Sequence, residues 1–287
     1  MVDIFLGECY LNSNRIRREA EGSAQRAKQQ KARQHFLLQT SGGGFSRYPI
    51  SPQIKTLISY NRYMKINDYS LKDDTPWRLF TPDNAHEGWA VLWPQGFTST
   101  IDGHSEGCER MSTASRFPFA MLDYAGHGSH PVPLEKATRK QQFAEVRGVY
   151  DELVSRGLDK IIVIGGSFGG YMAALLAGVR EPQSVVLRAP ANYQDHEFDY
   201  PYVETTESKE GETKDLYRKR VDNNYTNQAT QALQSYDGTV YILEHELDSV
   251  VLANIPKSYY HAAKHGNYIL IRGLGHAPSL TPNARVV

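Results

Sequence analysis

The chain has 287 residues, of which 40% are hydrophobic, and its 32 basic side chains balance its 32 acidic ones. A neutral chain gives no whole-molecule basis for binding nucleic acid or an anionic membrane surface, and no run of about 18 apolar residues offers a membrane span. Two cysteines, Cys9 and Cys108, make neither a disulfide framework nor, without a C-x-x-C pair, a zinc site; with no secretory signal at the N-terminus, a reduced cytoplasmic protein is expected.

Residues 1–48 stand apart. Arg15–Arg33 reads "RIRREAEGSAQRAKQQKAR", with seven basic residues and two acidic ones among good helix formers. This predicts a basic helical arm, either a solvated helix or a docking element through which the chain could self-associate. "TSGGGFS" then acts as a hinge. A single domain is expected over residues 49–287.

From about residue 54 strands and helices alternate. "IKTLISYNRYMKI", "PWRLFTP", "GWAVLWPQG" and "RFPFAMLDYAGHG" read as strands or strands ending in turns, and "TIDGHSEGCERMSTAS" as a helix. Pro133–Gly157 predicts one long helix, with proline near its start, glycine at its end, and Phe143, Val146, Val149, Leu153 and Val154 at helical spacing. "KIIVIGG" is a strand, "SFGGYMAALLAG" a helix, and "QSVVLRAP", "GTVYILEHELD" and "GNYILIRGLGH" are further strands. Short, continuously apolar strands between helices predict an α/β fold with a mostly parallel sheet covered on both faces. Functional groups are then expected at the C-terminal ends of the strands.

Gln194–Gly238 has no strand pattern and is rich in acids and tyrosines. A stretch this long inside a compact domain is either functional or a surface excursion. Read as a lid, it would set Tyr193, Tyr200, Tyr202, Tyr217 and Tyr225 as an aromatic wall, and its acids would disfavour anionic substrates.

The chemistry centres on Gly165-Gly166-Ser167-Phe168-Gly169, a G-x-S-x-G between a strand and a helix. That context holds a serine on a tight turn with its Oγ free, and the Phe168 N–H at the helix start can donate to an oxyanion. The competing reading is a glycine-rich turn that packs or binds phosphate; the G-K-[ST] ending of a P-loop is missing. A serine nucleophile needs a base and the base an orienting carboxylate, in the order Ser, acid, His for this motif. His276 follows the last strand. "LEHELDS" offers Glu244, Glu246 and Asp248; Asp248 is preferred because it lies past the strand, and Glu246 is the runner-up. His127 in "DYAGHG" competes as the base but precedes the serine, and His245 reads as packed inside a strand. The second oxyanion donor is expected in "WPQGFTS", at the Phe97 N–H, with Gly96 letting the backbone approach.

From about Thr56 onward, "PQGFTS", "LDYAGHG", "GGSFGGYMA", "ELDSVV" and "GLGHAPS" resemble the α/β-hydrolase superfamily. Its first motif usually begins with His-Gly, where Gln95 stands here. "GGSFGGYMA" is similar to the nucleophile region of prolyl-oligopeptidase-type peptidases, while "GHGSHP" and the short cap look more like single-domain esterases. The family's last helix is expected after the histidine, where eleven residues follow His276. The resemblance implies a serine hydrolase acting on a small-molecule carboxylic ester, with no cofactor and no metal. A peptidase or amidase with the same three residues and a non-catalytic protein on the same fold are the alternatives.

Overall fold

The computed structural model describes residues 64–205, 213–276 and 285–286. The basic arm, the hinge and most of the strand expected from Ile54 lie outside the described residues. So does nearly all of the stretch after His276.

Nine strands among the described residues form one sheet: β1 (Met64–Ser70), β2 (Pro76–Pro82), β3 (Trp89–Leu92), β4 (Phe119–Leu122), β5 (Lys160–Gly166), β6 (Ser184–Arg188), β7 (Thr239–His245), β8 (Gly266–Arg272) and β9 (Arg285–Val286). Their spatial order is β1-β2-β4-β3-β5-β6-β7-β8-β9. The six strands from β4 to β8 in that order are parallel. β2 runs antiparallel to both β1 and β4, and β9 antiparallel to β8. This is the mostly parallel sheet expected from the apolar runs.

The helices are α1 (Ile101–Ser115), α2 (Arg139–Ser155), α3 (Phe168–Ala177), α4 (Tyr202–Thr205), α5 (Lys214–Arg220), α6 (Gln228–Ser235) and α7 (Asn254–Ala262). Alternation along each strand divides the core in two. Ala90, Leu92, Ile161, Val163, Val185 and Leu187 join residues of α2, α3, α6 and α7 on one face. Val91, Ile162, Ile164 and Val186 join Ile101, Cys108 and Met111 of α1 on the other. Because both faces are covered there, the central strands β3, β4, β5 and β6 are almost continuously buried, which explains their continuous apolar sequences.

Two expectations need correction. The helix expected over Pro133–Gly157 is broken: Leu134–Lys136 form a single 3₁₀ turn, and Thr138, in extended conformation, caps α2 by accepting from the Gln141 amide at 3.0 Å. A local side-chain cap has replaced the continuous helix that proline and spacing suggested. Val154 is on the exposed side of α2, whereas Val146, Val149 and Leu153 are buried.

The second correction concerns 194–238, which is not a single insertion. Its last helix, α6, opens with a capping box between Asn227 and Thr230 and buries Ala229 and Leu233 in the main core. It packs so closely on the end of α3 that a Cβ on Gly178 would lie 2.6 Å from that of Ala232. Residues 228–235 are therefore part of the helix layer, leaving α4, α5 and the turns around them as the part that departs from the layer pattern.

Candidate active site

β5 ends in Gly166 and α3 begins at Phe168, so Ser167 alone makes the turn. Its backbone is at φ 53°, ψ −119°, a conformation costly for a residue with a Cβ and kept only where the surroundings enforce it. Two glycines make the turn possible. A Cβ on Gly165 would run into the carbonyl of Gly169, and one on Gly169 into the carbonyl of Pro94. The serine's carbonyl accepts from the Gly170 and Ala191 amides at 3.0 and 2.9 Å, and its own amide donates to Arg188 at 3.0 Å. Oγ takes no part in holding the turn.

The structure brings three of the expected residues into one chain of contacts. Ser167 Oγ lies 3.0 Å from His276 Nε2, and His276 Nδ1 lies 2.7 Å from Asp248 Oδ2. Each follows a different parallel strand, β5, β7 or β8, at its C-terminal end. Asp248 is fixed by its own loop, since Oδ1 accepts from the Val250 and Val251 amides, both at 2.8 Å. Its side chain is only 2% exposed. Burial acts to raise its pKa, but the hydrogen bond from His276 and those from the two amides outweigh it and hold the carboxyl below its ordinary value. A carboxylate is acceptor-only, so the bond assigns the imidazole proton to Nδ1 and leaves Nε2 free to accept from the serine hydroxyl.

The competing groups are engaged elsewhere. Glu246 is exposed and accepts from the Gly273 amide at 2.7 Å. Glu244 is buried within β7, where burial raises its pKa. His127 is buried, with Nδ1 3.2 Å from the Ala125 carbonyl and its ring against Phe97 and Phe168. Burial lowers its pKa.

Phe168 follows Ser167 directly, and Phe97 packs on the Phe168 ring edge-to-face with ring centroids 5.8 Å apart. A Cβ on Gly96 would be 3.9 Å from that of Ser167, so the loop after β3 lies directly against the turn. Among the described residues neither the Phe97 nor the Phe168 amide donates to a backbone carbonyl, which leaves both N–H groups available. Gln95, where the resembled family has histidine, is 1% exposed; its Nε2 donates to the Leu122 carbonyl at 3.4 Å and its carbonyl accepts from Tyr124 at 3.0 Å. It supports the loop from beneath.

Of the five tyrosines expected as a wall, two meet the site. Tyr202 packs on Phe97 with ring centroids 5.4 Å apart, and Tyr193 on Phe168 at 5.8 Å. Tyr217 and Tyr225 instead contact each other, and Tyr200 is exposed.

His245, expected as packed inside a strand, is buried there, but its supporting contact escaped sequence reasoning. His245, at the end of β7, has Nδ1 2.9 Å from the carbonyl of Gly275, the residue before His276. Burial, and then the charge of Arg188, pushes its pKa down to about 3. A neutral ring beside a carbonyl must donate from Nδ1, so His245 ties down the loop that carries His276. A histidine within an apolar strand was the available signal.

Among the described residues no group of three or more His, Cys, Asp or Glu side chains could hold a metal ion, and no helix is long and apolar enough to cross a membrane. Cys108 is buried and its thiol pKa is raised by burial.

Comparison by sequence, with family models and with curated proteins, finds no match. Comparison of structures does. Est1E from Butyrivibrio proteoclasticus, solved with ferulic acid, is 17% identical with a TM-score of 0.54, the match covering 74% of this chain and 88% of that one. An arylesterase is 13% identical with a TM-score of 0.53, over 80% and 92% of the two chains. A membrane phospholipase A described as a bacterial virulence factor is 15% identical with a TM-score of 0.53, over 79% and 84%. At these identities the likeness is one of fold, and the chain has the α/β-hydrolase fold.

Proposed function

We propose that this protein is a serine hydrolase that cleaves a carboxylic ester through an acyl-enzyme. The observation that carries the reading is the unbroken contact chain Ser167–His276–Asp248, with hydrogen-bond distances of 3.0 and 2.7 Å, ending on a serine held in a strained turn. The esterases among proteins of like fold favour an ester over an amide.

In the proposed reaction His276 Nε2 takes the Ser167 proton as Oγ bonds to the carbonyl carbon. The carbonyl oxygen becomes an oxyanion, met by the Phe97 and Phe168 amides. The helix start at Phe168 adds a partial positive charge there. As the tetrahedral intermediate collapses, the C–O bond to the alcohol breaks and the alcohol leaves with the proton from His276. Water then gives a proton to the same nitrogen and attacks the acyl carbon. The acid departs, and Ser167 recovers its proton. Asp248 keeps the imidazole in the productive tautomer and stabilises its positive form without itself being protonated.

Labelling with a fluorophosphonate, followed by peptide mass spectrometry, tests the reading. Modification at Ser167 together with turnover of p-nitrophenyl esters is expected. Labelling elsewhere, or no turnover of any ester, overturns it; turnover of a peptide panel faster than of esters assigns the same site to amides.

A further inference from the structure

Helix α2 opens on a buried arginine. Arg139 is its first residue, where the helix's partial positive charge makes a cation unfavourable, and its side chain is only 1% exposed. One carboxylate answers it: Nη1 pairs with Glu197 Oε2 at 2.9 Å and donates to the Glu197 carbonyl at 3.1 Å. Nε and Nη2 are buried with no hydrogen-bond partner among the described residues. A buried cation with so few partners is costly, and the desolvation of both charges can exceed what the pair gains.

Two aromatic faces also meet it. The guanidinium carbon lies 4.4 Å from the centre of the Tyr193 ring and 5.2 Å from that of Tyr202. Both are within the range of a cation–π contact, which is strongest where water is excluded. Burial raises the pKa of Tyr171, Tyr193 and Tyr202, and in each the charge of Arg139 is the largest influence opposing it.

The contacts close into a circuit. Tyr193 packs on Phe168 with ring centroids 5.8 Å apart, Phe168 on Phe97 at 5.8 Å, and Phe97 on Tyr202 at 5.4 Å. Arg139 joins the two tyrosines and completes it. Phe97 and Phe168 are the residues whose amides meet the oxyanion in the proposed reaction. Phe97 is the most exposed of the four rings, at 37%, on the loop after β3, and Thr98 beyond it is at φ 66°. Its amide therefore depends on the rings packed against its side chain.

The backbones of the two tyrosines are held without the arginine. The Lys140 amide donates to the Phe198 carbonyl and the Tyr202 amide to the Ala137 carbonyl, both at 3.0 Å, and the Tyr202 hydroxyl donates to Gln142 Oε1 at 3.0 Å. Asn227 Nδ2 donates to the Tyr193 carbonyl at 2.9 Å, and Asn192, the residue before it, accepts from both Tyr217 and Asn227. What is left for Arg139 is the orientation of the rings.

We propose that Arg139 is a positioning residue: it holds the Tyr193 and Tyr202 rings against Phe168 and Phe97, and through them the two amides that meet the oxyanion. This role rests on the serine-hydrolase reading. An amide held off its line weakens the transition state more than the bound substrate, so the loss appears in kcat rather than KM.

The test is p-nitrophenyl acetate kinetics on the full chain, as wild type, Arg139→Met, Tyr202→Leu, their double variant and Glu197→Gln, with circular dichroism checking each fold. Arg139→Met keeps an unbranched stem and removes the charge. It should lower kcat about 10- to 100-fold with KM changed by less than about threefold, a part of what losing an oxyanion donor costs. In a Tyr202→Leu background the same substitution should cost at least about threefold less, because one of its two routes is gone. Glu197→Gln leaves the rings and the carbonyl bond in place and should keep kcat within about threefold. A loss carried by KM, equal costs in the two backgrounds, or a Glu197→Gln loss matching that of Arg139→Met overturns the positioning role. Wild type that neither hydrolyses the ester nor takes a fluorophosphonate on Ser167 removes the hydrolase reading and this role with it. Wild-type turnover that Arg139→Met leaves unchanged removes this role alone. Should Arg139→Met not fold, Arg139→Lys replaces it: one ammonium cannot cover two rings, and a kcat loss of at least about threefold with the same coupling to Tyr202 is expected.

Discussion

Asp248 divides its carboxylate between two tasks: Oδ1 holds the Val250 and Val251 amides, and Oδ2 meets His276 Nδ1 at 2.7 Å. Two residues earlier, Glu246 holds the Gly273 amide instead. The two acids thus brace neighbouring loops, and only one touches the imidazole. Asp248→Asn should keep the fold and lower kcat by roughly 10³–10⁴ by favouring the wrong tautomer. Glu246→Gln keeps an oxygen for Gly273 and should change kcat by less than about tenfold. Ester kinetics on the two purified variants check this; the reverse order would give Glu246 the orienting role.

The strained turn predicts opposite effects on activity and stability. Ser167→Ala should reduce kcat by about 10⁴ or more, with little gain in stability, because alanine at φ 53° keeps the strain. Ser167→Gly, equally inactive, removes the Cβ that makes this conformation costly. It should unfold with a free energy about 0.5–2 kcal/mol above that of Ser167→Ala, the released strain less the added chain entropy of glycine. Urea denaturation of both variants measures the difference, and equal midpoints would mean that the turn stores no strain.

The sheet and the serine were legible because their signals are local. Strand runs such as "KIIVIGG" show burial on both faces directly, and the glycines around Ser167 mark a turn within a few residues. The preference for Asp248 over Glu246 also rested on a local point, the end of the β7 pairing, which falls at His245. What escaped was fixed at a distance. The Asn192–Tyr217–Asn227 network joins residues 25 and 35 positions apart. Nothing near α6 in the chain announces that Ala229 and Leu233 face α3. The break at Thr138 was hidden because a threonine cap and a helix-interior threonine look alike in a run with good periodicity.

His245 offers a prediction about positioning rather than chemistry. Its Nδ1 bond to Gly275, at 2.9 Å, holds the loop that presents His276. His245→Leu removes the donor and should lower kcat about 10- to 100-fold, with a smaller change in KM. His245→Asn places an amide N–H near the former Nδ1 and should recover most of the loss. Recovery by asparagine separates the hydrogen bond from simple packing, which leucine would serve equally well. A leucine variant as active as the wild type would show that the loop holds itself.

The last prediction concerns stability against pH, at a pair outside the Ser167–His276–Asp248 contacts. Glu145 is 1% exposed; its Oε2 accepts from the Ala125 amide at 2.8 Å, and Oε1 faces His130 Nε2 at 3.3 Å. Burial raises its pKa from an ordinary 4.5 to about 7, against the pull of the Ala125 bond, with Asp73 adding to the rise. Between those values the folded state holds a proton that the unfolded chain has released. Stability from this group is therefore complete below about pH 4.5, declines as pH rises, and is lost above about pH 7. His130 acts in the opposite direction. Burial lowers its pKa from 6.5, so its penalty fades as pH rises toward 6.5 and is constant beyond. The two oppose each other below that point, and Glu145 acts alone just above it. Glu145→Gln keeps an oxygen for the Ala125 amide and cannot ionise. Its stability relative to the wild type should accordingly improve by about 1–3 kcal/mol between pH 5 and pH 8. Urea melts of both proteins at the two pH values measure this. A difference that stays constant or shrinks would mean that Glu145 is ionised throughout and that His130 holds it as a charged partner.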